Sequence, residues 1–123
     1  MAFDWCEFLH FAQATQGQSG VGYSAEAANR TAISRAYYAS FHIALQYAQT
    51  YQGYQPVRTA SEHSRLRDHF RQLGGRWLSV AQALSILRVM RNQCDYDDQV
   101  PGLEQLVATA LQYAQQRVLD ECE

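Results

Sequence analysis

Apolar residues recur along this chain at helical spacing, and no stretch shows the alternation of a half-buried strand. Trp5, Phe8, Leu9 and Ala12 follow an i, i+3, i+4, i+7 pattern, with Asp4 placed to cap the first turn, and predict a short helix ending near Thr15. Gln16 to Tyr23 holds Gly17, Gly20 and Gly22 among polar neighbours and reads as a loop. Ser24 then stands as an N-cap with Glu26 in the first turn, opening a long helix to about Thr50. Ile33, Tyr37, Phe41, Ala44 and Ala48 form its stripe, and Gly53 and Pro56 close it. Ser61 is positioned to cap a third helix whose Leu66, Phe70 and Leu73 share a face, and Gly74-Gly75 supplies the left-handed residue with which helices often end. A fourth helix runs from about Leu78 to Asp95 with Val80, Leu84, Leu87 and Cys94 on one stripe. Asp97-Asp98-Gln99 and Pro101-Gly102 make the next break and place Pro101 at the first helical position of a fifth helix, which buries Leu103, Leu106, Val107, Ala110, Ala114 and Val118.

Five helices joined by short connections, with no internal repeat, predict an all-α fold: an up-and-down helical bundle of four to five helices in a single domain over residues 1–123. Composition agrees, because 47% of residues are hydrophobic and only 2 are proline, which argues against disorder and against an all-β domain.

A formal net charge of -2 makes no electrostatic case for nucleic acid over the whole molecule, but its distribution is uneven. From Arg58 to Arg91 seven arginines stand against Glu62 and Asp68, whereas residues 92–123 carry seven acids against Arg117. All ten basic residues are arginine, the group suited to bidentate phosphate or carboxylate contacts, although composition bias in the source organism explains the same fact. Cys6, Cys94 and Cys122 are far apart with no C-x-x-C pair, which fits a reducing cytoplasm better than a disulfide framework or a zinc site. The start lacks a basic and apolar leader, and no run approaches the ~20 apolar residues of a membrane span, so the expectation is a soluble, unexported protein without a membrane partner.

Arg91 is the most informative single position: on the helix wheel it lies about 40° from Leu87, between Val80 and Leu84, and projects from the apolar stripe. A guanidinium there requires either an ion pair, with Asp95 or an acid from another helix, or a phosphate met at a cleft. Arg35, Tyr38 and His42 share a second face of the long helix, which reads either as packing surface or as the lining of a nucleotide or RNA groove. Arg88 adds to the basic segment beside Arg91. Glu7-Phe8-Leu9-His10 has the ligand spacing of di-iron bundles but no second such pair, and His63 and His69 do not share a helical face, so neither a metal nor another cofactor is expected.

The stretch Arg30-Thr31-Ala32-Ile33-Ser34-Arg35-Ala36-Tyr37-Tyr38-Ala39-Ser40-Phe41-His42 resembles the Ser-Arg-x-Tyr-Tyr-Ala-x-Phe-His helix of HEPN-domain proteins. Arg91-Asn92-Gln93-Cys94-Asp95-Tyr96-Asp97 resembles their second signature, an Arg followed closely by Ala-Asp-Tyr, and the similarity spans roughly residues 24–120. The resemblance implies a prokaryotic helical domain, often a homodimer and often paired with a minimal nucleotidyltransferase as toxin and antitoxin. Many such proteins are metal-independent endoribonucleases. It implies catalytic roles for Arg91, Asn92 and Tyr96, with Arg35, Tyr38, His42 and Arg88 meeting the nucleotide or RNA. It also implies that a partner nucleotidyltransferase modifies a tyrosine near the motif, for which Tyr96 is the candidate.

One departure bears on activity. Active members carry a histidine four to six residues after the arginine and its polar neighbour, and here Tyr96, Asp97 and Asp98 occupy that stretch. A phenol titrates near 10 and an imidazole near 6.5, so Tyr96 is a poor replacement base for attack by a 2′-hydroxyl. The sequence therefore carries two readings: an endoribonuclease, with His42 supplying the imidazole, or an inactive module that retains nucleotide, RNA or partner binding.

Overall fold

The computed structural model describes residues 2–123 as five α-helices: α1 (Cys6–Thr15), α2 (Ala25–Tyr51), α3 (Glu62–Leu73), α4 (Arg76–Tyr96) and α5 (Leu103–Tyr113). A π-helical turn, Ala114–Leu119, continues α5. Among the described residues there is no sheet, and the all-α bundle expected from the apolar pattern is what forms. The long helix α2 is the centre: α1, α4, α5 and the π-helical turn all pack on it, and α3 packs on α4.

The stripes meet as their spacing demands. Leu9 and Ala12 of α1, Ile33, Tyr37, Phe41, Ala44 and Ala48 of α2, and Val80, Leu84, Leu87 and Cys94 of α4 are buried together with Val107, Ala110, Ala114 and Val118. Burial of this set supplies the main driving force for folding. The Ser24 hydroxyl accepts the Ala27 N–H at 3.1 Å, and the Asp4 carboxylate accepts the Cys6 N–H at 3.0 Å, so both expected caps are in place. Gly74 and Gly75 take positive φ, 66° and 57°, which lets α4 begin at Arg76 rather than at Leu78.

Three local expectations are corrected. Ser61 does not cap α3 with its side chain, because its backbone is already helical and its hydroxyl bonds Thr59 Oγ1 at 2.8 Å instead. Leu73 is 49% exposed, being the last residue of α3, beside the turn at Gly74, where no helix covers it. Pro101 lies outside α5, because Gly102 follows with left-handed backbone (φ 68°, ψ 28°) and the helix starts only at Leu103.

The segment before α3 is held instead by Glu62. This buried carboxylate accepts the Tyr54 O–H at 2.5 Å and the Val57 and Arg58 N–H groups at 3.0 Å each. Arg58 has a positive φ of 56°, unfavourable for a side-chain-bearing residue, and the carboxylate holds it there. Burial alone raises the Glu62 carboxyl, but the bonds from Tyr54, Arg58 and Val57, with the charge of Arg65, outweigh it and hold the pKa below its ordinary 4.5. The stabilisation is therefore complete above that value and is lost as pH falls through the lower native one. Glu62→Gln is expected to lose on the order of 2–3 kcal/mol in urea unfolding at neutral pH, with the deficit shrinking in acid as the wild-type carboxylate itself protonates. A deficit that stays constant down to strongly acid pH would show that the charge of Glu62 is not what holds this segment.

Candidate functional site

α2 and α4 enclose an open cleft of about 490 Å³, lined on one side by Arg30, Ser34, Arg35 and Tyr38 and on the other by Arg91, Cys94 and Asp95. Its geometry depends on Arg30. That guanidinium donates from Nη1 to the carbonyls of Cys94 (3.1 Å) and Asp97 (2.6 Å), and from Nη2 to that of Asp98 (2.9 Å). The last carbonyls of a helix lack intrahelical partners and carry the negative end of its dipole, so a cation supplied from α2 is well matched to them. No basic residue stands in the last turn of α4, and Arg30 takes that role from across the cleft.

Within the cleft, guanidinium groups and aromatic rings alternate. Arg35 lies 4.7 Å from the Phe8 ring centre and 5.4 Å from that of Tyr38, and Arg91 lies 5.3 Å from Tyr38 and 5.9 Å from Tyr96. Tyr38 thus lies within cation–π range of two guanidinium groups, and its ring quadrupole attracts both charges. Arg91 also contacts Asp95, Nε to Oδ2 at 2.8 Å, and its Nη1 donates to Asn92 Oδ1 at 2.9 Å. The Nε proton is not aligned on the carboxylate, so the contact with Asp95 is a charge pair rather than a well-formed hydrogen bond. Arg35 has no acid partner among the described residues, and its buried Nε has no acceptor.

The residues singled out in the sequence therefore divide. Arg35, Tyr38 and Arg91 line one cleft, with Asn92 attached to the rim through Arg91. Tyr96 stands beside Arg91 but is 74% exposed and does not line the cleft. His42 is not there either: its ring stacks on Trp5 at 3.6 Å with planes 10° apart, and it lines a separate opening with Phe41 and His63. Burial lowers the His42 pKa, so the imidazole is neutral at pH 7. Arg88 is absent from the cleft, and its charge acts on Tyr37, His63 and Arg67 at the junction of α2, α3 and α4.

No histidine lines the Arg91 cleft. Arg30, which lines the cleft, and Phe8, which packs on Arg35 from outside it, were not singled out by the sequence pattern: Phe8 occupied an apolar position on α1, and Arg30 is defined as a clamp only by carbonyls 64 to 68 residues away. Comparison with protein-family models, with curated proteins and with solved structures gave no match for this chain.

A charge pair at i, i+4 with partly exposed partners contributes little to stability. Asp95→Asn is expected to lower the unfolding free energy by less than about 1 kcal/mol, measured by urea denaturation. A loss several times larger would identify Asp95 as a structural anchor of Arg91.

Proposed function

We propose that this chain is a HEPN-like module of a prokaryotic nucleotidyltransferase-associated system of the toxin and antitoxin type, in which the α2–α4 cleft binds a nucleotide or single-stranded RNA. The observation that carries the reading is Arg35, held between Phe8 and Tyr38 with no acid partner and with a buried Nε lacking an acceptor. A phosphate oxygen supplies what that group lacks, and Tyr38 offers a ring on which a base can stack. Arg91 is the second phosphate contact, released from Asp95 as the more highly charged ligand competes for the guanidinium. In this reading the protein works in the cytoplasm as a homodimer.

Binding without cleavage is the favoured form. In-line attack by a 2′-hydroxyl needs a group that accepts a proton near neutral pH, and no histidine lines the cleft. The endoribonuclease reading keeps one support, the Arg91–Asn92 hydrogen bond, which holds together the pair that matches the signature of active relatives.

Single-stranded RNA incubated with the purified protein in EDTA is expected to stay intact but to be retained in a filter-binding assay, with Arg35→Ala and Arg91→Ala each weakening retention about tenfold. Cleavage that disappears in Arg91→Ala would replace this reading by the ribonuclease one. Tyr96 is exposed enough for a modifying enzyme to reach. Incubation with a partner nucleotidyltransferase and ATP should add nucleotide mass to the peptide containing Tyr96, and a peptide of unchanged mass would exclude it as the modified residue.

A further inference from the structure

A second cationic cluster lies where α2, α3 and α4 meet. The Tyr37 phenol on α2 and His63 Nδ1 on α3 are hydrogen-bonded, and the imidazole stacks on Phe41 with ring centres 4.1 Å apart and planes 20° apart. Arg67 follows His63 by one turn of α3, and its Nη1 is withdrawn from water without a hydrogen-bond partner. Arg88, on α4, which packs against α3, exerts the largest effect of any charged group on Tyr37, His63 and Arg67 alike. Arg91, on the same helix, acts on Tyr37 and His63 as well.

No carboxylate neutralises this group. Neither Arg67 nor Arg88 forms an ion pair among the described residues. Asp68, the acid that acts on Arg67, is held by Arg71 at 2.5 Å, and Glu62 is engaged by Tyr54 and two backbone N–H groups. Like charges converging around a donor without an acceptor are unfavourable twice over, through repulsion and through the unmade hydrogen bond. An oxyanion removes both penalties, and guanidinium forks match its geometry.

We propose that His63, Arg67 and Arg88 form an oxyanion site for a phosphate group, carried either by an RNA strand or by a mononucleotide. Tyr37 positions the imidazole. Burial pushes the Tyr37 phenol up to about 12, so it remains protonated, and in the tautomer where its O–H donates to Nδ1 the ring proton sits on Nε2, free for an anion. His63 also borders an opening of about 350 Å³, which gives the ring a route to solvent. None of His63, Arg67 and Arg88 lines the Arg35 cleft, so failure of RNA binding there does not decide the proposal.

The proposal makes a pH-linked prediction. Burial lowers the His63 pKa, and Arg88, Arg67, Arg91 and His42 lower it further, so the free protein holds a neutral imidazole at pH 7. An anion seated beside it favours the imidazolium, and binding tightens as pH falls. The test is an NMR titration of the His63 ring with and without sulfate, whose charge is constant through the imidazole range, against chloride at matched ionic strength to remove the effect of screening. Sulfate is expected to raise the His63 midpoint by about one pH unit beyond chloride. Arg67→Gln and Arg88→Gln should each abolish that rise, and Arg117→Gln should keep it. Competition by single-stranded RNA or by ATP then identifies which source of phosphate the site accepts.

A midpoint that sulfate and chloride move equally overturns the proposal, as does a sulfate response that survives in both glutamine variants. Removing one of several like charges relieves repulsion, so thermal unfolding followed by circular dichroism should show both variants melting no earlier than wild type. Earlier melting in both would mark the arginines as structural and would also overturn it.

Discussion

A helix enclosed by its neighbours has few places to put a polar group, and that constraint on α2 organises the molecule. Its 27 residues span about 40 Å, with α1, α4, α5 and the π-helical turn packed against them. Each polar side chain on its buried surface needs a partner supplied by the fold. Asn29 finds the Gly17 N–H at 2.7 Å, which ties the glycine loop to the helix, and Ser40 turns back to the Ala36 carbonyl at 2.8 Å. Arg30 reaches the end of α4. Arg30 and Arg35 each keep a buried Nε without an acceptor, but Arg30 has Glu26 and three carbonyls beside it, whereas Arg35 has no acid partner among the described residues, and that difference marks the cleft.

The same enclosure partly covers the remaining apolar residues of α2. Tyr38, Ile43, Leu45 and Tyr47 all pack against the core of the single chain. The exposed large apolar residues include Tyr51 at the end of α2, Phe11, Val21 and Tyr23 on α1 and the glycine loop, and Val89 and Tyr96 on α4.

Helix number, the extent of α2, the Ser24 cap and the buried stripes were legible because burial repeats with the helical period, a property that each segment carries by itself. The Arg91–Asp95 pair was legible for the same reason, since i, i+4 neighbours meet on any helix. What escaped the pattern depends on contacts between elements. Ser61 does not cap α3 because its hydroxyl bonds Thr59, and Glu62 was not singled out because its partners, Tyr54 and the segment before α3, fold onto it from elsewhere. Nothing local told His42 from Arg35 and Tyr38 on their shared face, and the approach of Trp5 from α1 separates them. His63 had no visible partner on its own helix, because the phenol that binds it lies 26 residues earlier.

Charge segregation along the chain survives folding. Of the seven arginines between Arg58 and Arg91, Arg71 pairs with Asp68, Arg76 with Glu121 at 3.7 Å and Arg91 with Asp95, leaving Arg58, Arg65, Arg67 and Arg88 without an ion pair among the described residues. Among the described residues only Asp95 and Glu121 of the seven C-terminal acids pair with the basic middle, so a net charge of -2 conceals four arginines there without an acid. Arg91 links the two cationic regions: it lines the cleft with Arg35 and it also acts on His63 across the junction. An anion held in one region would therefore weaken the repulsion felt in the other, so the two proposed sites are coupled through Arg91 and not additive.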